Sequence, residues 1–241
     1  MGILKNPMIG IPSGKVGEFI IRHRYGKEVI YSKPKKYKTT KSVPLKNARK
    51  TFKIAVELAQ VIKRSSVLND VWKFAKMPGK NSYTKILKAN IKMSDPNMLT
   101  TSNDITPGMD VLNYRSLALE SFKAAFKPKG LQIEYSIYKH PKYKLSDYPL
   151  YMETVIFAYN PVNDSAKKKY VLVSAEERII DIIQSKPVKH LLANKTIQRD
   201  TLNEFSDAII YFAIVTANLP DLPPLWSWTS TCKLGISVTK A

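Results

Sequence analysis

The stretch from Arg22 to Lys41 combines positive charge with tyrosines in a pattern suited to binding a polyanion. Eight Lys and Arg side chains and three tyrosines fall within its twenty residues, RHRYGKEVIYSKPKKYKTTK. Lys and Arg neutralise phosphates and release counterions, and tyrosine rings stack on unpaired bases. A two-stranded ribbon can also enter a duplex groove. The residues expected to contact nucleic acid, three of them in the helix that follows, are Arg22, Arg24, Tyr25, Lys27, Tyr31, Lys33, Lys35, Lys36, Tyr37, Lys38, Lys41, Lys46, Arg49 and Lys50.

The charge is distributed unevenly along the chain. Its 241 residues carry 39 Lys and Arg against 19 Asp and Glu, a formal net charge of +20. Residues 1–92 hold 22 of the cations and only four of the acids, whereas residues 93–241 hold 17 cations and 15 acids. Such asymmetry indicates a partner that is nucleic acid, a membrane surface or another polyanion. The countercharge could instead come from acidic protein, and the simpler alternative is that the cations form a solvated face on a very soluble protein.

Residue patterns typical of enzymes and metal sites are absent from the sequence. The SGKVG segment lacks the first glycine and the final hydroxyl residue of a phosphate-binding loop, because Ile9 and Val16 occupy those places. None of the three histidines has metal-ligand spacing from another His or from Cys232. Glu176 and Glu177 are adjacent, so a strand would direct them to opposite faces as a solvated pair. We therefore predict no catalytic residue, metal or cofactor.

The compartment is predicted to be the cytoplasm or a particle assembled there. One cysteine, Cys232, cannot form an intrachain disulfide. The first residues, MGILKNPMIG, lack the pattern of a secretory signal. The longest apolar run, Ala208 to Ala217, is far shorter than the ~20 residues that cross a bilayer and predicts a buried strand. No membrane partner is expected.

The cations of residues 1–92 are expected to lie on a hairpin and on helices. EFIIRHR and KEVIYSK are rich in β-branched and aromatic residues and predict two paired strands. From Pro44 the period changes to three or four, which predicts two or three helices over residues 45–92 with a basic outer surface. The apolar stripe of the first helix is expected to comprise Leu45, Ala48, Phe52, Ala55, Ala59 and Ile62.

The rest of the chain is predicted to be a separate β domain. Residues 93–110 are dense in Ser, Thr, Asn, Asp and Pro, which is typical of a linker. Beyond them, LQIEYSIY, ETVIFAYNP, KKYVLVS, DAIIYFAIV and SWTSTCKLGISV are strand candidates, and SAEERIIDIIQS is a possible short helix. The predicted class is α+β: a basic hairpin and helices (1–92), a linker (93–110) and an antiparallel immunoglobulin-like sandwich (111–241).

Trp226 and Trp228 form the other unusual feature. They follow Pro220, Pro223 and Pro224 and share a face if the segment is extended. Packing against the sandwich is the simpler interpretation, and an exposed aromatic protein interface is the alternative.

The opening GIPSGKVGEFIIRHRYGKEVIYSKP, followed by a basic helix, resembles the start of a domain-of-unknown-function family common in Bacteroidota. The resemblance covers about fifty residues, and FAYNP later resembles a strand-to-turn segment of that family; members often carry Arg where this chain has Tyr31. It implies a basic region before a β-rich region and carries no activity. The matching positions are Gly10, Ser13, Gly14, Lys15, Val16, Gly17, Gly26, Lys27, Ser32 and Pro34.

These observations predict a non-enzymatic binding or assembly protein whose basic N-terminal region engages a polyanion, with nucleic acid or a ribonucleoprotein the first choice. The alternative is a structural subunit of a phage-derived or similar particle. In that case the basic arm would insert into neighbouring subunits, so protein partners or self-assembly are also expected.

Overall fold

The computed structural model of the protein has helices and antiparallel sheets, so the chain belongs to the α+β class. It divides into two compact units, Met1–Leu45 and Lys46–Ala241. The structure describes residues 2–3, 14–24, 27–33, 42–108, 117–139, 148–161, 170–179, 186–217, 229 and 231–238.

The first unit contains a small antiparallel sheet with the strand order β1-β4-β3-β2. The predicted hairpin is confirmed, because β3 and β4 pair over their full length, with Ile21 opposite Ile30. Gly17 lies in the turn between β2 and β3 with a φ of 58°, a left-handed conformation that glycine adopts without steric cost. The strand bounds are β1 Gly2–Ile3, β2 Gly14–Val16, β3 Phe19–Arg24 and β4 Lys27–Ser32.

Three helices follow, as the periodicity of residues 45–92 predicts. Pro44 is the second residue of α1, where its missing N–H leaves no helical hydrogen bond unmade. The Ser65 hydroxyl caps α2 by accepting a hydrogen bond from the Leu68 N–H, and Asn81 and Thr84 form a capping box at the start of α3. The bounds are α1 Val43–Arg64, α2 Ser66–Phe74 and α3 Ser82–Asn90, with a short α4 at Arg199–Leu202.

The predicted apolar stripe of α1 is only half correct. Ala55, Ala59 and Ile62 are buried as expected. Leu45 and Phe52 are 37% and 48% exposed, and Ala48 is exposed as well. The buried residues of α1 therefore begin at Ile54 and continue to Ile62.

In the described part of the second unit, seven strands make two antiparallel sheets that pack face to face. One has the order β11-β10-β7-β8 and the other β5-β6-β9. Leu131, Ile133, Tyr135 and Ile137 share the buried face of β6, as their alternation predicts. The bounds are β5 Leu117–Lys127, β6 Gly130–Lys139, β7 Leu150–Tyr159, β8 Tyr170–Ile179, β9 Val188–Ala193, β10 Asp207–Thr216 and β11 Cys232–Ser237.

In the second unit, the sheet β11-β10-β7-β8 lies between the helices α1–α3 on one side and the sheet β5-β6-β9 on the other. Even-numbered residues of β10, such as Ile210 and Phe212, point into the core between the two sheets. Odd-numbered residues, such as Tyr211 and Val215, point into a second core formed with α1, α2 and α3. The apolar run predicted as a buried strand is thus confirmed, and its lack of alternation is explained by burial of both faces.

Several predictions for the second unit differ from the structure. Ser174–Ile179 continue strand β8, so the helix considered there is wrong for these residues. β5 and β9 were not among the strand candidates. The segment 93–108, predicted to be a linker, buries Leu99 and Ile105 in the core beneath the helices. The helices themselves share that core with β7 and β10, whereas the sequence pattern had grouped them with the hairpin.

Candidate nucleic-acid interface

The outward surface of the helices is strongly basic. Residues 43–92 hold twelve Lys and Arg side chains and only two acids. One of the cations, Lys85, is buried and donates hydrogen bonds to the carbonyls of Lys73 and Ala75, at 2.7 and 2.8 Å. The exposed cations are Lys46, Arg49, Lys50, Lys53, Lys63, Arg64, Lys73, Lys76, Lys80, Lys88 and Lys92.

Four of these cations form a ridge along the first half of α1. Lys46, Arg49, Lys50 and Lys53 occupy positions i, i+3, i+4 and i+7, so they share one face of the helix. All four are exposed. Their seven-residue span corresponds to about 10 Å of helix axis. We call this set the α1 ridge.

Both acids of the helical segment already have partners. Glu57 accepts a hydrogen bond from the Tyr170 hydroxyl at 2.5 Å, which connects α1 to β8. Asp70 pairs with Lys73 at 2.7 Å within α2. Within the described ranges, no carboxylate lies in salt-bridge distance of the α1 ridge, and its Lys50 contacts only the amide oxygen of Asn97, at 3.4 Å. The described residues thus give the ridge cations no ion-pair partner, and the nearest acid along the helix is Glu57, one turn after Lys53.

The hairpin contributes a further pair of predicted site residues. The Arg22 guanidinium lies 5.8 Å from the centre of the Tyr31 ring, in a cation–π arrangement. Arg22 is exposed and Tyr31 is half-buried, and Lys33 is exposed just after β4. Arg22 and Tyr31 therefore sit together on one face of the β3–β4 ribbon.

The remaining predicted site residues are less fully described. Arg24 ends β3 and Lys27 begins β4, and their backbones pair with each other. The others lie outside the described residues, and they are Tyr25, Lys35, Lys36, Tyr37, Lys38, Lys41, Trp226 and Trp228.

A buried carboxyl lies on the opposite, inner side of the helices. Glu153 of β7 is 1% exposed, and its carboxylate accepts a hydrogen bond of 2.6 Å from the Ser65 hydroxyl. Glu176 lies directly opposite it on β8. Burial is the main reason that the pKa of Glu153 is raised to about 8; the Ser65 hydrogen bond lowers it, and the adjacent Glu176 carboxylate raises it. Glu153 is therefore a largely neutral acid at pH 7.

The carboxylates of Glu176 and Glu177 leave opposite faces of β8, as predicted. Glu176 neighbours Glu153 on the helical side. Glu177 instead lies 2.6 Å from His190 Nε2 of β9. The expectation of a solvated pair is confirmed in exposure, since Glu176 is exposed and the Glu177 side chain is 41% exposed. Each carboxylate also has its own protein neighbour.

Glu153 and Ser65 were missed by the sequence analysis. The signal was an acid inside LYMETVIFAY, a strand whose other residues, apart from Thr154, are apolar or aromatic. Such a residue must be neutral or hydrogen-bonded when buried. The Ser65 hydroxyl is occupied by capping α2 and by Glu153, so this cluster fastens the helices to the sheet.

Metal-binding clusters and membrane-spanning helices are both absent from the described residues. No three His, Cys, Asp or Glu side chains in that part of the chain gather where they could hold a metal ion. None of the described helices is both long and apolar enough to cross a membrane.

Comparison with known proteins gives no relative from which a role could be transferred: neither a protein-family model nor a curated protein matches the chain.

Proposed function

We propose that this is a non-enzymatic binding or assembly protein whose basic N-terminal region engages a polyanion, with nucleic acid or a ribonucleoprotein as the partner. The observation that carries the proposal is the α1 ridge. Its four cations are exposed on one helix face, and the acids of the helical segment are engaged elsewhere. A phosphate backbone supplies the missing negative charge.

The binding would be driven by counterion release. Each Lys or Arg that pairs with a phosphate frees a condensed cation, so affinity falls as salt concentration rises. The Arg22–Tyr31 pair on the hairpin adds a charge and an aromatic ring within 5.8 Å of each other. The predicted cations from Lys35 to Lys41 would add further phosphate contacts.

We further infer that the seven strands β5–β11 form an immunoglobulin-like sandwich that contacts protein partners. Lettered A to G in chain order, the strands give the sheets A-B-E and G-F-C-D. A constant-type immunoglobulin domain has the sheets A-B-E-D and C-F-G. The two arrangements differ only in the sheet to which the fourth strand is attached.

The cellular context is proposed on the same footing. A cytoplasmic location fits the single cysteine. Membership of the Bacteroidota family is supported by the shared SGKVG segment, whose Gly17 has the turn geometry described above.

The test is a salt titration of nucleic-acid binding by the full chain. Lys46, Arg49, Lys50 and Lys53 are changed together to Gln, and a matched control changes four exposed sandwich lysines, Lys127, Lys129, Lys186 and Lys195. We expect the ridge variant to lose affinity on the order of 100-fold at 0.1 M salt and its log–log salt slope to flatten by about 3. Equal losses in both variants, or no binding by the wild type, would overturn the proposal.

A second candidate function is a structural subunit of a phage-derived or similar particle. The observation that favours it is the position of β8, a ten-residue strand at the end of its sheet. An exposed strand edge is a template for a strand from a neighbouring chain. Salt-insensitive assembly into rings or tubes, observed by light scattering and electron microscopy, would favour this candidate over the first.

A further inference from the structure

The first half of α1 presents an exposed aromatic ring beside its cations. Phe52 is 48% exposed, and it lies between Arg49, one turn earlier, and Lys53. The aromatic side chains of the helical layer differ in exposure: Trp72 is fully buried, with its indole N–H donating to the Ile105 carbonyl at 2.8 Å, whereas Phe74 of α2 is 54% exposed. A single exposed phenylalanine is ordinary on a protein surface, so what distinguishes Phe52 is its place beside the four cations of the α1 ridge.

Phe52 belongs to an apolar strip that runs parallel to the α1 ridge. Leu45, Ala48 and Phe52 are spaced by three and four residues, so they lie on one side of the helix, next to the cations. All three are exposed. The helix therefore offers two adjacent tracks, one cationic and one apolar, each about 10 Å long.

We propose that this half-helix is a binding element for single-stranded nucleic acid, in which the α1 ridge holds successive phosphates and Phe52 stacks on an unpaired base. The inference rests on the proposed function and names the form of nucleic acid that the interface takes.

The α1 ridge supplies the charge for binding. Its four cations over about 10 Å of helix axis can neutralise the phosphates of any nucleic-acid backbone. The apolar track adds the discrimination, because the faces of paired bases are covered by their neighbours whereas an unpaired base has a free face. Stacking on an aromatic side chain accepts every base, so we expect little sequence preference.

The experiment compares binding of fluorescent dT20 and of a 20-base-pair duplex by anisotropy, using the full chain. Phe52→Leu keeps an apolar side chain but removes the ring, and Phe52→Tyr keeps the ring. The matched control is Tyr138→Leu, which removes an exposed aromatic ring from strand β6, away from the α1 helix. We expect Phe52→Leu to weaken dT20 binding about 10-fold or more, and we expect Phe52→Tyr and the control to bind like the wild type. Duplex binding should be weaker and unaffected by Phe52.

Each other outcome overturns the inference in a recognisable way. Equal affinity for duplex and dT20, with no effect of Phe52→Leu, leaves the proposed function standing and refutes single-strand binding. Binding to neither nucleic acid refutes both proposals. Phe52-dependent binding to phosphatidylserine vesicles with no nucleic-acid binding would assign the half-helix to a membrane surface instead. Circular dichroism of each variant shows that the fold is intact.

Discussion

The inner and outer surfaces of the three helices obey different physical requirements. On the inner surface, Leu58 and Ile62 pack against the sheet, and the polar groups there are matched, as Glu153 is by Ser65. On the outer surface, cations stand in solvent with few acids to balance them. The inner surface holds the fold together, and the outer one is free to serve a partner.

Core truncation should separate the two surfaces most strongly. Leu58→Ala removes a fully buried side chain of α1, and we expect the free energy of unfolding to fall by about 3 kcal/mol because a cavity is left. Phe52→Ala, two turns earlier on the exposed half, should change it by less than about 0.5 kcal/mol. Urea denaturation followed by circular dichroism measures both, and comparable losses would show that Phe52 is packed in solution.

The pH dependence of stability should report the buried carboxyl. The folded chain raises the pKa of Glu153 from 4.5 to about 8, so the folded state binds this proton more tightly than the unfolded state does. The resulting stabilisation is fully present below pH 4.5 and is lost as pH rises through about 8, with a slope of at most about 1.4 kcal/mol per pH unit.

Glu153→Gln should remove that slope, and its difference from the wild type isolates the contribution of this one group. Glu176→Gln is the control. It deletes the neighbouring charge that raises the pKa of Glu153. The pKa of Glu153 should therefore be lower in this variant, and the stabilisation should be lost at a lower pH than in the wild type. Denaturation midpoints measured from pH 4 to pH 9 give these profiles. If Glu153→Gln and the wild type show the same pH profile, Glu153 does not contribute to the pH dependence of stability.

Lys85, which is buried in α3, should behave differently from the exposed lysines of the described helices. Lys85→Met leaves the carbonyls of Lys73 and Ala75 without their hydrogen-bond donor, which we expect to cost about 1–3 kcal/mol. Lys88→Met, on the exposed side of the same helix, should be nearly neutral. Thermal melts of the two variants compare them directly, and equal melting temperatures would mean that the Lys85 contact adds nothing.

The smallest effect should have the opposite sign. The α1 ridge contains like charges at i, i+4, namely Lys46 with Lys50 and Arg49 with Lys53. Such pairs destabilise a helix by about 0.2–0.5 kcal/mol each at low salt. The four-Gln ridge variant should therefore be slightly more stable than the wild type at low ionic strength, with the difference vanishing at 1 M salt. A destabilised variant would indicate that the ridge serves the fold.

Secondary-structure elements with a clear hydrophobic period were predicted correctly from the sequence. The predictions were wrong where contacts with distant parts of the chain determine the structure. The hairpin, the three helices and the doubly buried β10 follow from local pattern. β5 was missed because LALESFKAAFK is rich in residues that favour helices, and only pairing with β6 makes it a strand. The exposure of Leu45 and Phe52 was not predictable, because a helical period shows which residues share a face but not whether another element covers it.

The positive charge of the candidate site was predictable from the sequence, whereas the spatial arrangement of its side chains was not. Lys46, Arg49 and Lys50 are expected from composition alone, and the structure adds Lys53 to the same face. The Arg22–Tyr31 contact joins strands whose pairing the hairpin pattern implied. Glu153 required knowledge of which strand lies against which helix, since its partners are 88 residues earlier at Ser65 and 23 residues later at Glu176.

Because β10 contributes alternate residues to two separate cores, the helical segment is not a detachable accessory. Deleting residues 43–108 to isolate the two sheets would leave Val155 and Phe157 of β7 facing water together with Ile209, Tyr211, Ala213 and Val215 of β10, and such a fragment should aggregate. Any evolutionary descendant that lost the helices would have to replace these side chains with polar ones in the same step, which makes gradual loss of this layer difficult.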